Sequence, residues 1–552
     1  MRVLLLHPEF PETFWSFGPV LELVGRRALN PPLGLITVAA LLPAEWELRL
    51  VDCAVRAPRE EEWRGVDLVM LTGMIVQHES MLGRIAEAHR RGLPVVVGGP
   101  YATSAPETFE AAGADYLVLD EAEISLPPFL ARLAAEGPRR RAPGAPALRF
   151  DAGGRKPELD AAPVRRFDLL EFDAYDAMSV QYSRGCPFLC EFCDIITLYG
   201  RRPRTKSAAQ MPAELDALLA LGWRGGVFLV DDNFIGNKPN VKRFLPELRV
   251  WQERRGTPFW FDTEASFDLA ADPDLVAEMV ACNVASVFIG IETPDEDSPE
   301  LTKKRQNTRA PMLESIDCLT RAGLRVMCGM ILGFDGEKPG AGRRITEFSE
   351  AAAIPTVLLS LLQVLPNTGL HTRLAKEGRL TGRIAGATAR DGLNFVPTRP
   401  EREILAEYVE ATAALYDPEI DLERCFRHFA RLGTEPPARA APPAAPDLAP
   451  RRTRRARLKA ARDIALAARA FAVVAWRQGL ARPTQGLFWR RLGWMLRHRP
   501  ARAATYLAVC AHLEHLMPFA EKTAAALRAR IAELDAAPAE APAPAPRLAA
   551  LT

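Results

Sequence analysis

Three cysteines stand within eight residues in Cys186-Pro-Phe-Leu-Cys190-Glu-Phe-Cys193. Thiolates at that density suit a soft metal centre. A structural zinc ion takes four ligands, and no fourth Cys or His lies within ten residues of the cluster. A [4Fe–4S] cluster takes four thiolates, so three cysteines leave one iron open to a ligand from outside the protein. The alternative is three buried thiols without metal, against which the spacing argues. The other six cysteines, Cys53, Cys282, Cys318, Cys328, Cys425 and Cys510, are scattered and read as free thiols. Nine cysteines in 552 residues are too few for a disulfide scaffold.

Carboxylates and glycines recur downstream: Asp231 and Asp232, then Glu264 and Ser266, then Glu292, then Gly329 and Gly333. Each set closes a short apolar run. The strand-like runs are Ser179–Tyr182, Gly226–Val230, Trp260–Thr263, Ser286–Ile291, Val326–Leu332 and Thr356–Leu362, with helical patterns such as Pro212–Leu221, Pro273–Ala281 and Pro311–Ala322 between them. Six β/α units predict a partial α/β barrel whose chemistry gathers at the C-terminal strand ends. For Asp231, Asp232 and Glu264 a structural capping role is the alternative.

Residues 1–135 alternate in the same way. Strand candidates are Val3–Leu6, Leu48–Val51, Leu68–Thr72, Val95–Val97 and Tyr116–Leu119, separated by helical Leu35–Leu42, Ser80–Arg91 and Pro106–Ala112. The pattern predicts a parallel, flavodoxin-like sheet that binds ligands beyond its carboxyl ends. The chain therefore divides into an α/β domain (1–135), a Pro/Gly/Arg-rich linker (136–165), the barrel (166–400) and a helical extension (401–434). A Pro/Ala linker (435–450), a basic helical region (451–535) and a disordered Pro/Ala tail (536–552) follow.

The 70 Lys/Arg balance 69 Asp/Glu, for a net charge of +1, which excludes a uniformly basic nucleic-acid binder. The balance hides a division: residues 451–502 hold fifteen Lys/Arg against one acid, Asp463, with Trp476, Phe488, Trp489 and Trp494 interleaved. Such a segment suits an anionic membrane surface; the simpler reading is a helical cap on the barrel with a solvated basic face. No nucleic acid partner is expected. No stretch approaches the ~20 apolar residues of a membrane span, and Met1–Leu6 is too short for a signal core before Pro8, so a cytoplasmic protein is expected, peripheral to the inner face of the membrane if the basic region docks there.

The spacing Cys-x3-Cys-x2-Cys after the first barrel strand resembles the signature of radical S-adenosylmethionine (SAM) enzymes. The resemblance implies that Cys186, Cys190 and Cys193 hold three irons of a [4Fe–4S] cluster and that SAM chelates the fourth. It places Phe192 by the adenine and sets Asp231, Asp232, Glu264, Ser266 and Glu292 against the amino, ribose and methionyl groups. Gly329 and Gly333 would lie beside the adenine. Tyr182 and Arg184 flank the cysteines and could tune the site.

A flavodoxin-like domain before such a barrel resembles the cobalamin-binding subclass. The matching features are Pro31–Leu35, Gly98-Gly99-Pro100 and Asp120–Glu123, with Met74 after the third strand. They imply cobalamin contacts from Met74, Gly98, Gly99, Pro100 and Glu121. No Asp-x-His-x-x-Gly occurs, so a lower axial histidine is not expected, and His78 reads as a helix start. Residues 8–17 and the segments QYSRGCPFLCEFCDI, RPRTKS, GWRGGVFLVDDNFIGN and FIGIETP resemble the group that includes the hopanoid C-2 methylases. The loop Gly336–Arg344, near the proposed mouth of the site, departs from that group's pattern.

An unactivated C–H bond cannot be deprotonated by any side chain, so the hard chemistry must come from a cofactor, and no catalytic side chain is singled out. The resemblance implies C-methylation: a 5′-deoxyadenosyl radical abstracts hydrogen, methylcobalamin supplies the methyl group, a second SAM remethylates the cobalamin, and flavodoxin or ferredoxin supplies electrons. The substrate would be a small molecule or lipid, a hopanoid first. Two alternatives stay open: a cobalamin-using radical cyclase or other natural-product enzyme without net methylation, and a cobalamin-binding regulatory protein with a structural cluster.

Overall fold

The computed structural model describes residues 1–295, 311–384, 389–435 and 454–536. Most of the 435–450 linker and of the 536–552 tail lies outside the described residues.

Apolar runs near the N-terminus form a six-stranded parallel sheet: β1 (Arg2–His7), β2 (Glu47–Asp52), β3 (Leu68–Thr72), β4 (Val95–Gly98), β5 (Tyr116–Val118) and β6 (Leu148–Phe150), in the order 2-1-3-4-5-6. The central strands are apolar on both faces because helices cover both. Leu4, Leu6 and Val69 pack under His78–Arg90, and Val3, Leu5 and Met70 pack under Leu33–Leu41 and Ala122–Glu136. The stretch read as a linker supplies β6, which pairs in parallel with β5. Its Pro/Gly/Arg composition masks a strand of three residues. The end of that stretch is pinned to the second sheet's helices by Arg165, whose guanidinium meets Glu214, as does Lys206; all three are buried.

The second sheet follows the expected six runs: β7 (Ala177–Val180), β10 (Gly225–Leu229), β11 (Phe259–Glu264), β12 (Val284–Glu292), β13 (Arg325–Leu332) and β14 (Thr356–Leu361), with the two-residue strands β8 (Ser183–Arg184) and β9 (Arg204–Thr205) paired beside it. Strand order is sequential, 7-10-11-12-13-14. Consecutive right-handed β/α units then place every helix on one face, so the sheet curls into an open barrel. Side-chain caps start several of these helices: Asn237 accepts from the Asn240 N–H and Asp272 from the Leu275 N–H, a contact type each worth about 1 kcal/mol.

Helices Glu401–Leu415 and Pro418–Arg431 continue the barrel wall, and the basic region forms Arg454–Trp476, Gln485–His498, Pro500–Cys510 and Leu513–Ala536. The last of these buries Leu513, Leu516 and Leu527 in the barrel's main core. The preceding helices join Leu422–Leu432 in a separate apolar cluster. The cap reading of this region is therefore part of the fold.

Candidate active site

The chain leaves β7, makes the short pair β8–β9, and turns at Gly185 into the cysteine loop. Gly185 has φ +96°, and a Cβ there would meet the Gly200 carbonyl oxygen at 2.8 Å, so only glycine fits this turn. The Cys186 N–H donates to that same carbonyl at 3.2 Å, and the Cys193 N–H donates to the Cys190 carbonyl at 3.2 Å. Burial raises the pKa of the Cys186 and Cys193 thiols, and the other cysteines of the loop raise them further. Among the described residues no three His, Cys, Asp or Glu side chains converge as one metal ion requires. Zinc with bonds near 2.3 Å needs that convergence; a cluster of several irons accommodates thiolates set wider apart. The donor set fits a cluster with three protein thiolates.

A chamber of about 1650 Å³ lies between the carboxyl ends of the two sheets and runs into the barrel lumen. That exceeds the ~300–1,000 Å³ of a pocket for one drug-sized ligand. From the first sheet it is lined by His7, Thr72–Met74, Gly98–Pro100 and Asp120–Glu123, and by all of Pro31–Leu35. Met74 is 52% exposed there. Gly99 has φ +90° and ψ −172°, a region open in practice to glycine alone, and a Cβ on Gly98 would meet the Val118 carbonyl oxygen at 2.8 Å. Both glycines line the chamber at points where a Cβ would strike neighbouring protein atoms. His78 starts the helix His78–Arg90 and its Nδ1 sits 2.8 Å from the Tyr101 hydroxyl.

From the barrel, Asp194, Asp232 and Glu264 line the chamber. Burial pushes Asp232 up to about 7, with Asp231 and Asp194 adding to the rise against the Gly185 N–H that it accepts. An ammonium group would relieve that cost.

Other expected contacts turn elsewhere. Asp231 does not line the chamber; its carboxylate accepts the backbone N–H groups of Tyr182 and Ser183, tying β10 to β7. Ser266 bonds to Asn233 and to Asp268 at 2.5 Å. Both side chains are engaged within the protein. Glu292 is buried at φ +69°, just past the register irregularity at Gly290. Such backbone costs of order 1–3 kcal/mol for a non-glycine residue and marks a position the surroundings hold in place. Phe192 packs edge-on to Phe334, the residue after Gly333, at 5.8 Å, and neither Phe192 nor Gly333 lines the chamber. Gly329 leaves room for Phe288, whose ring would touch a Cβ at 3.0 Å. The loop Gly336–Arg344 lies away from the chamber and clamps the outer wall: the Gly340 N–H donates to Glu407 at 2.8 Å.

Glu121 is not free for a ligand. Arg184 donates to it at 2.8 Å, and Arg204 donates to both its oxygens at 2.8 and 3.1 Å. Arg184 also holds Glu123 at 2.9 and 3.1 Å. This buried clasp fastens the first domain to the residue that precedes Gly185-Cys186. Sequence reading singled out Arg184 and Glu121 separately but not their pairing, which spans more than sixty residues. It also missed Phe10 and residues 12–17 as chamber lining: Trp15 packs on Phe288 at 5.4 Å, and the His515 Nε2 lies 3.0 Å from the Thr13 carbonyl. The aromatic density of that segment was the available signal.

Three comparisons bear on this arrangement. Residues 26–130 match the B12 binding domain, 180–348 the Radical SAM superfamily, and 368–529 a domain of unknown function, DUF4070. An uncharacterized methyltransferase of Synechocystis is 51% identical over 94% of this chain and 92% of its own length. The hopanoid C-2 methylase of Rhodopseudomonas palustris is 34% identical over 80% of this chain and 82% of its own. Among solved structures, the cobalamin-dependent SAM radical enzyme OxsB aligns with TM-score 0.56 and 15% identity over 98% of this chain and 82% of its own. The methyltransferase TsrM of Kitasatospora setae aligns with TM-score 0.51 and 19% identity over 68% and 78%. The radical SAM unit brings a [4Fe–4S] cluster and SAM, and the B12 unit brings cobalamin. A chain with both units in this order, half identical to a methyltransferase along nearly its whole length, belongs to the cobalamin-dependent radical SAM methyltransferase family.

Proposed function

We propose that this enzyme methylates an unactivated carbon of a hopanoid-type lipid. The observation that carries the reading is the single chamber, which joins the glycine-lined ends of the first sheet, the carboxylates near the cysteine loop, and a lumen walled by Phe228, Phe288, Met327 and Leu358. Cys186, Cys190 and Cys193 would hold the cluster, Asp232 and Glu264 would face SAM, and Met74 with Gly98–Pro100 would face cobalamin. When bound, these cofactors supply the radical and methyl-transfer chemistry that no side chain can. The protein's part is to align the two strand-end surfaces through the Glu121–Arg184 clasp and to exclude water with the aromatic segment 10–17.

The relative that methylates hopanoids at C-2 supports this substrate class. So does the basic region, where Ile464, Trp476 and Leu480 are 57–70% exposed and Arg469, Arg490 and Arg497 are exposed as well. The window 464–481 is apolar and long enough to cross a membrane by composition, and 22% of it is buried. With exposed arginines in the same region, the segment suits docking on an anionic bilayer rather than spanning one. Flavodoxin or ferredoxin would supply electrons.

The test is anaerobic reconstitution with iron, sulfide and hydroxocobalamin, followed by SAM, a reductant and a hopanoid. A methylated hopanoid with both 5′-deoxyadenosine and S-adenosylhomocysteine supports the reading. 5′-Deoxyadenosine without S-adenosylhomocysteine supports the cyclase alternative instead.

A further inference from the structure

The chamber does not stop at the strand ends. Side chains alternate along a strand, so register decides which residues share a level of the lumen. One level runs Ser179 of β7, Phe228 of β10, Asp262 of β11, Ser286 of β12 and Arg325 of β13, each paired with the next. A barrel packed only for stability fills such a level with branched apolar side chains. Here it holds an acid, a base and two hydroxyls. Ser286 Oγ donates to Asp262 Oδ1, and Arg325 Nη2 donates to Ser286 Oγ at 3.3 Å and lies 3.8 Å from Asp262 Oδ1.

This level is deep in the molecule yet open to the chamber. Asp262 and Arg325 keep 24% and 18% of their side-chain surface accessible, and Asp176, just before β7, is exposed to the same space. Burial raises both carboxyl pKa values against the pull of the nearest cations, Arg325 for Asp262 and Arg26 for Asp176. Arg325 Nε and the Thr356 hydroxyl have no hydrogen-bond partner among the described residues. Asp176 and Asp262 offer acceptors to the chamber and Arg325 offers donors. A group with several hydroxyls matches that set of acceptors and donors.

We infer that Asp176, Asp262 and Arg325 form a binding site for the hydroxyl-bearing end of an amphipathic substrate whose apolar body lies along Phe288, Met327 and Leu358. The carboxylates accept from substrate hydroxyls and the guanidinium donates to a hydroxyl oxygen. The inference rests on the lipid reading above and adds which end of the molecule enters first: the polar end goes down the lumen, and the carbon to be methylated stays at the strand ends.

The experiment uses the full, cofactor-loaded chain and two probes of equal length, 1-O-dodecylglycerol and its di-O-methyl ether, below their micellar concentrations. The ether keeps the oxygens but lacks the O–H donors. The wild type should bind the diol about tenfold more tightly or better, the effect of hydrogen bonds to charged groups. Asp262→Leu and, independently, Asp176→Asn should bring the preference below about twofold, with cluster absorbance reporting that each variant is folded. Equal binding of both probes by the wild type overturns the site, as does an unchanged preference in both variants. A diol preference without methylation of any hopanoid keeps the site and sinks the hopanoid reading. Methylation of a hopanoid with no diol preference does the reverse.

Discussion

The two six-stranded parallel sheets are built from the same β/α unit, yet they offer ligands different kinds of space. In the first, strand order reverses between β1 and β3, so helices leave on both faces and a crevice opens at the switch point, over the ends of the strands. His7 and Thr72–Met74 stand there. In the second, strand order is sequential and the sheet curls round a lumen. One sheet presents a ledge and the other a well, and the chamber exists because a charged clasp holds ledge over well. A flat, glycine-backed ledge suits a large planar cofactor; a well suits a substrate that must be kept from water.

The largest effect should come from the cysteine loop beside the well. Replacing Cys186, Cys190 and Cys193 together with Ala should abolish 5′-deoxyadenosine formation and leave cobalamin on the ledge, read by its visible absorbance. Continued SAM cleavage by that variant would refute the cluster assignment. The clasp should come next. Burial favours a neutral Glu123, but Arg184 draws its pKa down, and removing one partner of a buried ion pair costs about 3–5 kcal/mol. Glu121→Gln should lower methyl transfer tenfold or more while SAM cleavage persists. The expected measure is a higher ratio of 5′-deoxyadenosine to methylated product; parallel loss of both would mean that the clasp serves stability alone.

A smaller effect is expected on the ledge. Gly99→Ala would place a Cβ against the Thr72 side chain and force a disfavoured φ, at about 1–3 kcal/mol. Cobalamin retention should fall about tenfold with the cluster signal intact; retention equal to wild type would show that Gly99 serves only the turn. The smallest effect belongs to the outer wall of the well. Burial, with Arg325 and Arg431 nearby, pushes His428 down to about 3, below the ~6.5 of an unfolded chain. The unfolded state therefore takes up a proton that the folded state refuses, so this contribution to stability is complete above pH ~6.5 and is lost as pH falls toward 3. His428→Gln should flatten the decline of stability in that window, measured by denaturant titration at several pH values.

Much of this was legible before the structure. All six strands of the second sheet lie within two residues of their expected ends, because apolar runs bounded by turn residues are local signals. Strand β6 escaped because three residues carry no periodicity. The clasp and the polar level of the lumen escaped for another reason: Glu121 and Arg184, or Asp262 and Arg325, are more than sixty residues apart and meet only through sheet register and domain packing. The alternation in Phe259–Glu264 did place Asp262 on one face with Glu264, the one sequence hint of charge inside the well.

Cysteine spacing and the order of β/α units determined by themselves which chemistry this protein supports, since both depend on residue type and short separations. Tertiary structure decided which polar groups reach it. Asp231 and Asp232 are neighbours in the chain, but one is spent on the backbone N–H groups of Tyr182 and Ser183 while the other faces the chamber. Successive side chains at a strand's end point to opposite sides, and which side holds partner and which holds chamber is set by residues nearly fifty positions away.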